Sequence, residues 1–138
     1  MSHHCRALVL HCIDFRLGKS IKNFLQEQEL LGDADLVSLA GAAKNFVDPL
    51  AEPLVMRQIE ISKKLHGIRE VYLINHTDCG AYGGRDKFAS TTAEHNVLAG
   101  DLRTAAEMIT AKFSDLSVKC WIAHIEGGGH VRYEQVSE

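Results

Sequence analysis

Four short, nearly unbroken apolar runs constrain this chain most. They are Ala7-Leu8-Val9-Leu10, Asp35-Leu36-Val37-Ser38-Leu39, Val71-Tyr72-Leu73-Ile74 and Val118-Lys119-Cys120-Trp121-Ile122-Ala123. Runs of this length without strict alternation read as strands covered on both faces. Between them stand longer stretches with helical spacing. Ile21, Phe24, Leu25, Leu30 and Leu31 place apolar groups on one stripe, and Leu54, Val55, Ile59, Ile61 and Leu65 on another. The second stretch follows Pro49 and Pro53, which suit a helix start. It ends Lys63-Lys64-Leu65-His66-Gly67, with basic residues in the last turn and a glycine stop. A third stretch runs from Ala93 to Phe113, and Gly100 near its middle is its weakest point.

The order strand, helix, strand, helix, strand, helix, strand predicts an α/β domain: a mainly parallel four-stranded sheet with flanking helices. After Glu126-Gly127-Gly128-Gly129, residues His130 to Val136 alternate at period two. That pattern predicts a hairpin return and a C-terminal antiparallel strand. The 138 residues are enough for one sizeable core. No repeat, low-complexity segment or linker divides them, so 1–138 reads as a single domain.

Charge and cysteine usage narrow the function classes. A net charge of -3 and a pI of about 6.2 give no footprint of a nucleic-acid binder. No run of 18 apolar residues is present, so no membrane span is expected. The start, Met1-Ser2-His3-His4-Cys5, lacks an apolar signal region. In that setting Cys5, Cys12, Cys79 and Cys120 point to metal, catalysis or packing, not to disulfides, and a cytoplasmic location is expected.

Two polar clusters follow predicted parallel strands: His11-Cys12-Ile13-Asp14-Phe15-Arg16 and Asn75-His76-Thr77-Asp78-Cys79-Gly80. In open α/β sheets ligands bind at the carboxyl ends of the strands, where the strand order reverses. If the first and third strands are neighbours there, the clusters face each other. Zinc takes Cys sulfur and His nitrogen in tetrahedral geometry, and three protein ligands with an open fourth position make the catalytic form. His76 and Cys79 are spaced to let one turn present both donors, and Cys12 supplies the third. In an extended stretch Cys12, Asp14 and Arg16 point to one side. Arg16 then offers a bidentate partner to the Asp14 carboxylate, holding it off the metal and keeping it ionised.

The pattern Cys12-x-Asp14-x-Arg16 followed by His76-x-x-Cys79-Gly80 resembles the β-class carbonic anhydrases. Gly67-Ile68-Arg69-Glu70 before the third strand and the final hairpin also fit, so the resemblance reaches from about Ala7 to Val136. It implies a zinc lyase that reversibly hydrates carbon dioxide to bicarbonate by zinc-bound hydroxide. Cys12, His76 and Cys79 are then the metal ligands and Asp14 and Arg16 the catalytic dyad, in a homodimer or higher homo-oligomer. Phe15 stands where the family usually has a small residue. Leu39-Ala40-Gly41-Ala42-Ala43 replaces a stretch that often carries an Arg-Asn pair. Hydrolases of carbonyl sulfide and carbon disulfide share the motif, so it does not fix the substrate.

Other readings fit the same residues. One is a non-catalytic zinc domain or sensor on the same fold, and another is thiol redox chemistry through Cys12 and Cys79. Each residue taken singly has a packing or surface explanation; their combination carries the inference. Cys5 and Cys120 read as packing residues. His66 reads as a helix-end cation. His11, His95, His124 and His130 read as structural, and Lys44 and Asn45 stand where a small-anion pocket would lie. The Gly83-Gly84 and Gly127-Gly128-Gly129 stretches match no phosphate-loop pattern and read as turns.

Overall fold

In the computed structural model, which describes residues 3–136, the predicted strands and helices all form. Five strands make one sheet: β1 (Ala7–His11), β2 (Ala34–Ser38), β3 (Glu70–His76), β4 (Ser117–Ile125) and β5 (Val131–Val136). Their spatial order is β2-β1-β3-β4-β5. The first three contacts are parallel, and β5 returns antiparallel on β4, with Cys120 opposite Val136 and Ile125 opposite Val131.

The apolar runs are explained by the two faces of this sheet. Leu8 and Leu10 of β1, with Val71 and Leu73 of β3, face a core built with α2 (Glu52–His66) and α3 (Thr91–Lys112). Ala7 and Val9, with Tyr72 and Ile74, face a second core with Phe24 and Leu25 of α1 (Gly18–Glu27). Successive side chains of a strand go to opposite faces, so a central strand buried on both sides must be apolar at every position. Phe24 stacks on Tyr133 of β5 with centroids 4.7 Å apart and meets Trp121 edge-on at 5.0 Å.

Punctuation falls where the sequence puts it. Pro53 lies in the first turn of α2, and Gly67 ends the helix in the left-handed conformation at φ 62°, its N–H donating to the Lys63 carbonyl. Helix α3 runs unbroken through Gly100, where an added Cβ would meet nothing within 4 Å.

Three expectations need correction. β2 is an apolar run but not a covered strand: it lies at the sheet edge, and Leu36 is 57% exposed. The α2 stripe is also displaced. The helix buries Val55, Met56, Ile59 and Ser62, whereas Leu54 and Leu65 lie in the open. Likewise Leu31, beyond the end of α1, is exposed.

Candidate metal centre

The strand order reverses between β1 and β3: the chain goes from β1 to one side for β2, then back across to β3 on the other. That is the crevice where an α/β sheet collects ligands. Cys12 follows the last residue of β1, His76 is the last residue of β3, and Cys79 lies three residues on. Their donor atoms all lie within 4.8 Å of one another, and all three residues are buried.

The donors fit a tetrahedral zinc site. Cys12 Sγ and Cys79 Sγ are 4.0 Å apart; two thiolates on one tetrahedral zinc sit about 3.8 Å apart, given Zn–S bonds of about 2.3 Å. His76 Nδ1 donates to the Thr77 carbonyl at 2.7 Å, which fixes the ring and turns Nε2 toward the sulfurs. Nε2 is buried and has no hydrogen-bond partner among the described residues. A buried nitrogen lone pair without a donor is costly unless a cation takes it. The Gly41 N–H points at Cys12 Sγ from 3.4 Å and favours a thiolate there. The Cys79 S–H favours a thiolate at Cys12 and pulls that thiol below its ordinary range, and for the same reason Cys79 is pushed above it. None of the four cysteines is in a disulfide.

Asp14 and Arg16 meet, but not through an extended strand. Asp14 caps a short 3-10 turn over Phe15–Leu17. Its Oδ1 accepts from the Arg16 backbone N–H at 2.9 Å and from Nε at 3.0 Å, and its Oδ2 accepts from Nη2 at 2.8 Å. The guanidinium holds Asp14 down to about 2, well below the usual carboxylate range. Oδ2 stands 3.8 Å from His76 Nε2, so the carboxylate borders the donor cluster while both its oxygens are engaged by Arg16.

Sequence reasoning assigned no role to the groups behind Arg16. Nη1 donates to Asp78 Oδ2 at 3.1 Å and Nη2 to the Asp78 carbonyl at 2.9 Å. Asp78 is held at φ 56°, unusual for a residue other than glycine. Its N–H donates to Glu94 Oε2 at 2.8 Å, and its Oδ1 accepts the Arg85 N–H at 2.8 Å. Glu94, in the first turn of α3, is only 3% exposed. Asp78 had one signal, its place between His76 and Cys79. A buried glutamate at a helix start has none in the sequence alone.

A family model described as "Putative carbonic anhydrase" matches residues 2–132. The chain belongs to this family. It is 28% identical over 133 residues to an uncharacterized protein of Rickettsia conorii, covering 92% of this chain and 72% of that one. It is also 28% identical over 134 residues to an uncharacterized protein of Rickettsia bellii, covering 93% and 82%. Among solved structures it superposes on the beta-carbonic anhydrase CcaA with a TM-score of 0.61 and 16% identity, covering 98% of this chain and 84% of that one. The b-carbonic anhydrase CafA of Aspergillus fumigatus gives 0.62 and 17%, covering 98% and 77%. The fold is therefore that of the β-carbonic anhydrases.

Around the centre this family member departs from expectation in small ways. Phe15 is 89% exposed and Ile13 63%, so the turn between Cys12 and Arg16 presents apolar groups to solvent. The Asn45 amide donates to the carbonyls of Ala40 and Ala42 and closes its own loop. Lys44 sits over the Tyr82 ring, 5.9 Å from its centroid. His11 Nδ1 lies 2.8 Å from the Cys12 carbonyl oxygen. A polar cleft of about 400 Å³ opens beside Arg16, bordered by Lys19, Asn23, His130 and Tyr133. A second, of about 300 Å³, brings His95 and His124 near Thr77 and Arg85. No helix among the described residues is long and apolar enough to cross a membrane.

Proposed function

We propose that this protein is a zinc-dependent carbonic anhydrase that interconverts carbon dioxide and bicarbonate. Cys12, His76 and Cys79 hold the ion, and Asp14 with Arg16 orients the attacking water. The observation that carries this reading is the convergence of two buried sulfurs and the unpartnered His76 Nε2 beside an arginine-locked carboxylate. Zinc bound there supplies the Lewis acidity that activates water at moderate pH. The Thr77 carbonyl fixes the His76 tautomer that leaves Nε2 free to ligate. Asp14, ionised across the working pH range, accepts a hydrogen bond from the water and aims its lone pair at the carbon of carbon dioxide. Arg16, braced by Asp78, keeps that carboxylate off the metal. The cleft beside Arg16, with Lys19 at its edge, suits the departure of a small anion.

The test is stopped-flow carbon dioxide hydration on zinc-loaded protein. Activity above background that disappears in Asp14→Asn supports the reading. Full zinc content with no hydration between about pH 6 and 9 refutes it, and turnover of carbonyl sulfide in that case would move the substrate instead. A homodimer belongs to the same reading, supported by the exposed apolar residues Leu36, Leu54 and Leu65. Light scattering on the purified protein decides it.

A further inference from the structure

The two ends of the sheet differ in chemistry. The carboxyl end holds the centre described above. The amino end gathers a second set of donors with no part in it. Cys5 stands two residues before β1, Asp35 is the second residue of β2, and His66 is the last residue of α2. Cys5 Sγ, an Asp35 carboxylate oxygen and a His66 ring nitrogen all lie within 4.8 Å of one another, and the three residues are half-buried. Six residues of nearly extended chain separate Cys5 from Cys12, about 20 Å, so the two sets cannot share an ion.

The donors are held in place by their immediate neighbours. Ser62, 4% exposed and one turn before His66, donates its hydroxyl to Asp35 Oδ2 at 2.6 Å. His66 Nδ1 lies 2.7 Å from the same oxygen. The Cys5 N–H donates to the His66 carbonyl at 3.0 Å, which ties the segment before β1 to the end of α2. Gly67 follows in the left-handed conformation, and the His4 ring packs against it so closely that an added Cβ would come 2.9 Å from His4 Cδ2. The backbone turn and a buried hydroxyl thus fix a sulfur, an oxygen and a nitrogen around one point.

The Asp35–His66 contact accounts for two of these groups, and Cys5, packed at the edge of the core, brings its sulfur to the same point. The Cys5 S–H donates to the Ala7 carbonyl across a long 3.6 Å. A set of thiol, carboxylate and imidazole suits a borderline divalent cation such as zinc or cobalt; calcium and magnesium prefer all-oxygen sites. A thiolate and a carboxylate together neutralise the ion's charge.

We propose that Cys5, Asp35 and His66 form a second divalent-metal site of this thiolate–carboxylate–imidazole type. It pins the segment before β1 to β2 and the end of α2, and Ser62 orients its carboxylate. The inference does not rest on the function proposed above.

The experiment is metal analysis of zinc-loaded full-length chain after gel filtration, with circular dichroism to confirm folding. Unaltered protein, Cys5→Ser, His66→Gln and the double variant Cys12→Ser/Cys79→Ser are compared. The site predicts that Cys5→Ser and His66→Gln each lose one equivalent of zinc and that the double variant keeps one. A cobalt titration of the double variant then shows thiolate-to-cobalt charge-transfer absorption, abolished when Cys5→Ser is added. If the centre at the carboxyl end takes no zinc, the double variant matches the unaltered chain and the Cys5 result still stands alone. Full stoichiometry in both single variants, or metal in the double variant that Cys5→Ser leaves in place, marks an adventitious ion only and overturns the proposal.

Discussion

Replacing Arg16 by methionine keeps much of its stem and removes the guanidinium that grips Asp14. The carboxyl is held from an ordinary 3.8 down to about 2, a shift of roughly two units caused first by the Arg16 side-chain hydrogen bonds. At about 1.4 kcal/mol per unit the pairing is worth at most about 2.5 kcal/mol. The Arg16 side chain is 33% exposed and Asp14 14%, so solvent screens part of this. About 1 kcal/mol of net coupling is the realistic figure. Arg16→Met also severs the bonds to Asp78, so the single variant costs more, and a double-mutant cycle with Asp14→Asn isolates the pair. The assay is urea unfolding of zinc-loaded protein for all four corners of the cycle. The folded pKa is depressed, so the coupling is fully present above the ordinary carboxylate range and is lost as pH falls through about 2. Coupling of about 1 kcal/mol at pH 7, near 4 °C in Tm for a chain of this size, is expected. A cycle that closes to within about 0.3 kcal/mol at pH 7 would show that the contact does not lock the carboxylate, and the account of Arg16 fails.

Three further expectations follow from the same geometry. Cys12→Ser, Cys79→Ser or His76→Gln should each abolish carbon dioxide hydration and cut zinc retention on dialysis, measured by metal analysis; a variant that keeps both would remove its residue from the ligand set. Glu94→Gln preserves an acceptor for the Asp78 N–H and should leave activity near normal. Glu94→Ala leaves that N–H without its partner and should cost about 1–3 kcal/mol of stability by urea unfolding, with kcat falling more than KM rises. Buried Asn75, whose Oδ1 accepts the Ala43 N–H at 3.0 Å and whose amide donates to the Leu98 carbonyl at 3.1 Å, should cost about 2–4 kcal/mol when changed to leucine, read from the same unfolding curves.

Much of the architecture was legible because its signals are local. Apolar runs such as Val71 to Ile74 mark strands whose faces are both covered, and Pro53 and Gly67 bracket α2 through their own backbone limits. β2 shows where such reading stops. Leu36 and Val37 look like Val9 and Leu10, yet β2 lies at the edge because, among the described residues, no strand pairs beyond it, and sheet position is not a property of a five-residue segment. The α2 stripe failed similarly: Leu54 and Leu65 are as apolar as Val55 and Ile59, and only the helix's rotation against the sheet decides which are buried. For the dyad the contact was expected for the wrong reason. Asp14 reaches Arg16 from the cap of a 3-10 turn, a local hydrogen-bonding option open to aspartate that an extended reading overlooks.

The sequence by itself determined the chemistry available: two thiols, an imidazole, a carboxylate and a guanidinium, each within a few residues of a strand end. Tertiary structure decided that they form one centre. Setting β3 beside β1 brings Cys12 and Cys79, 67 residues apart in the chain, to 4.0 Å. It also turns the N–H of Gly41 onto one sulfur and seats Glu94 beneath Asp78. Spacing along a chain fixes which donors a strand end can offer. Which donors meet, and what braces them, depends on how the strands are ordered and which helix packs behind them.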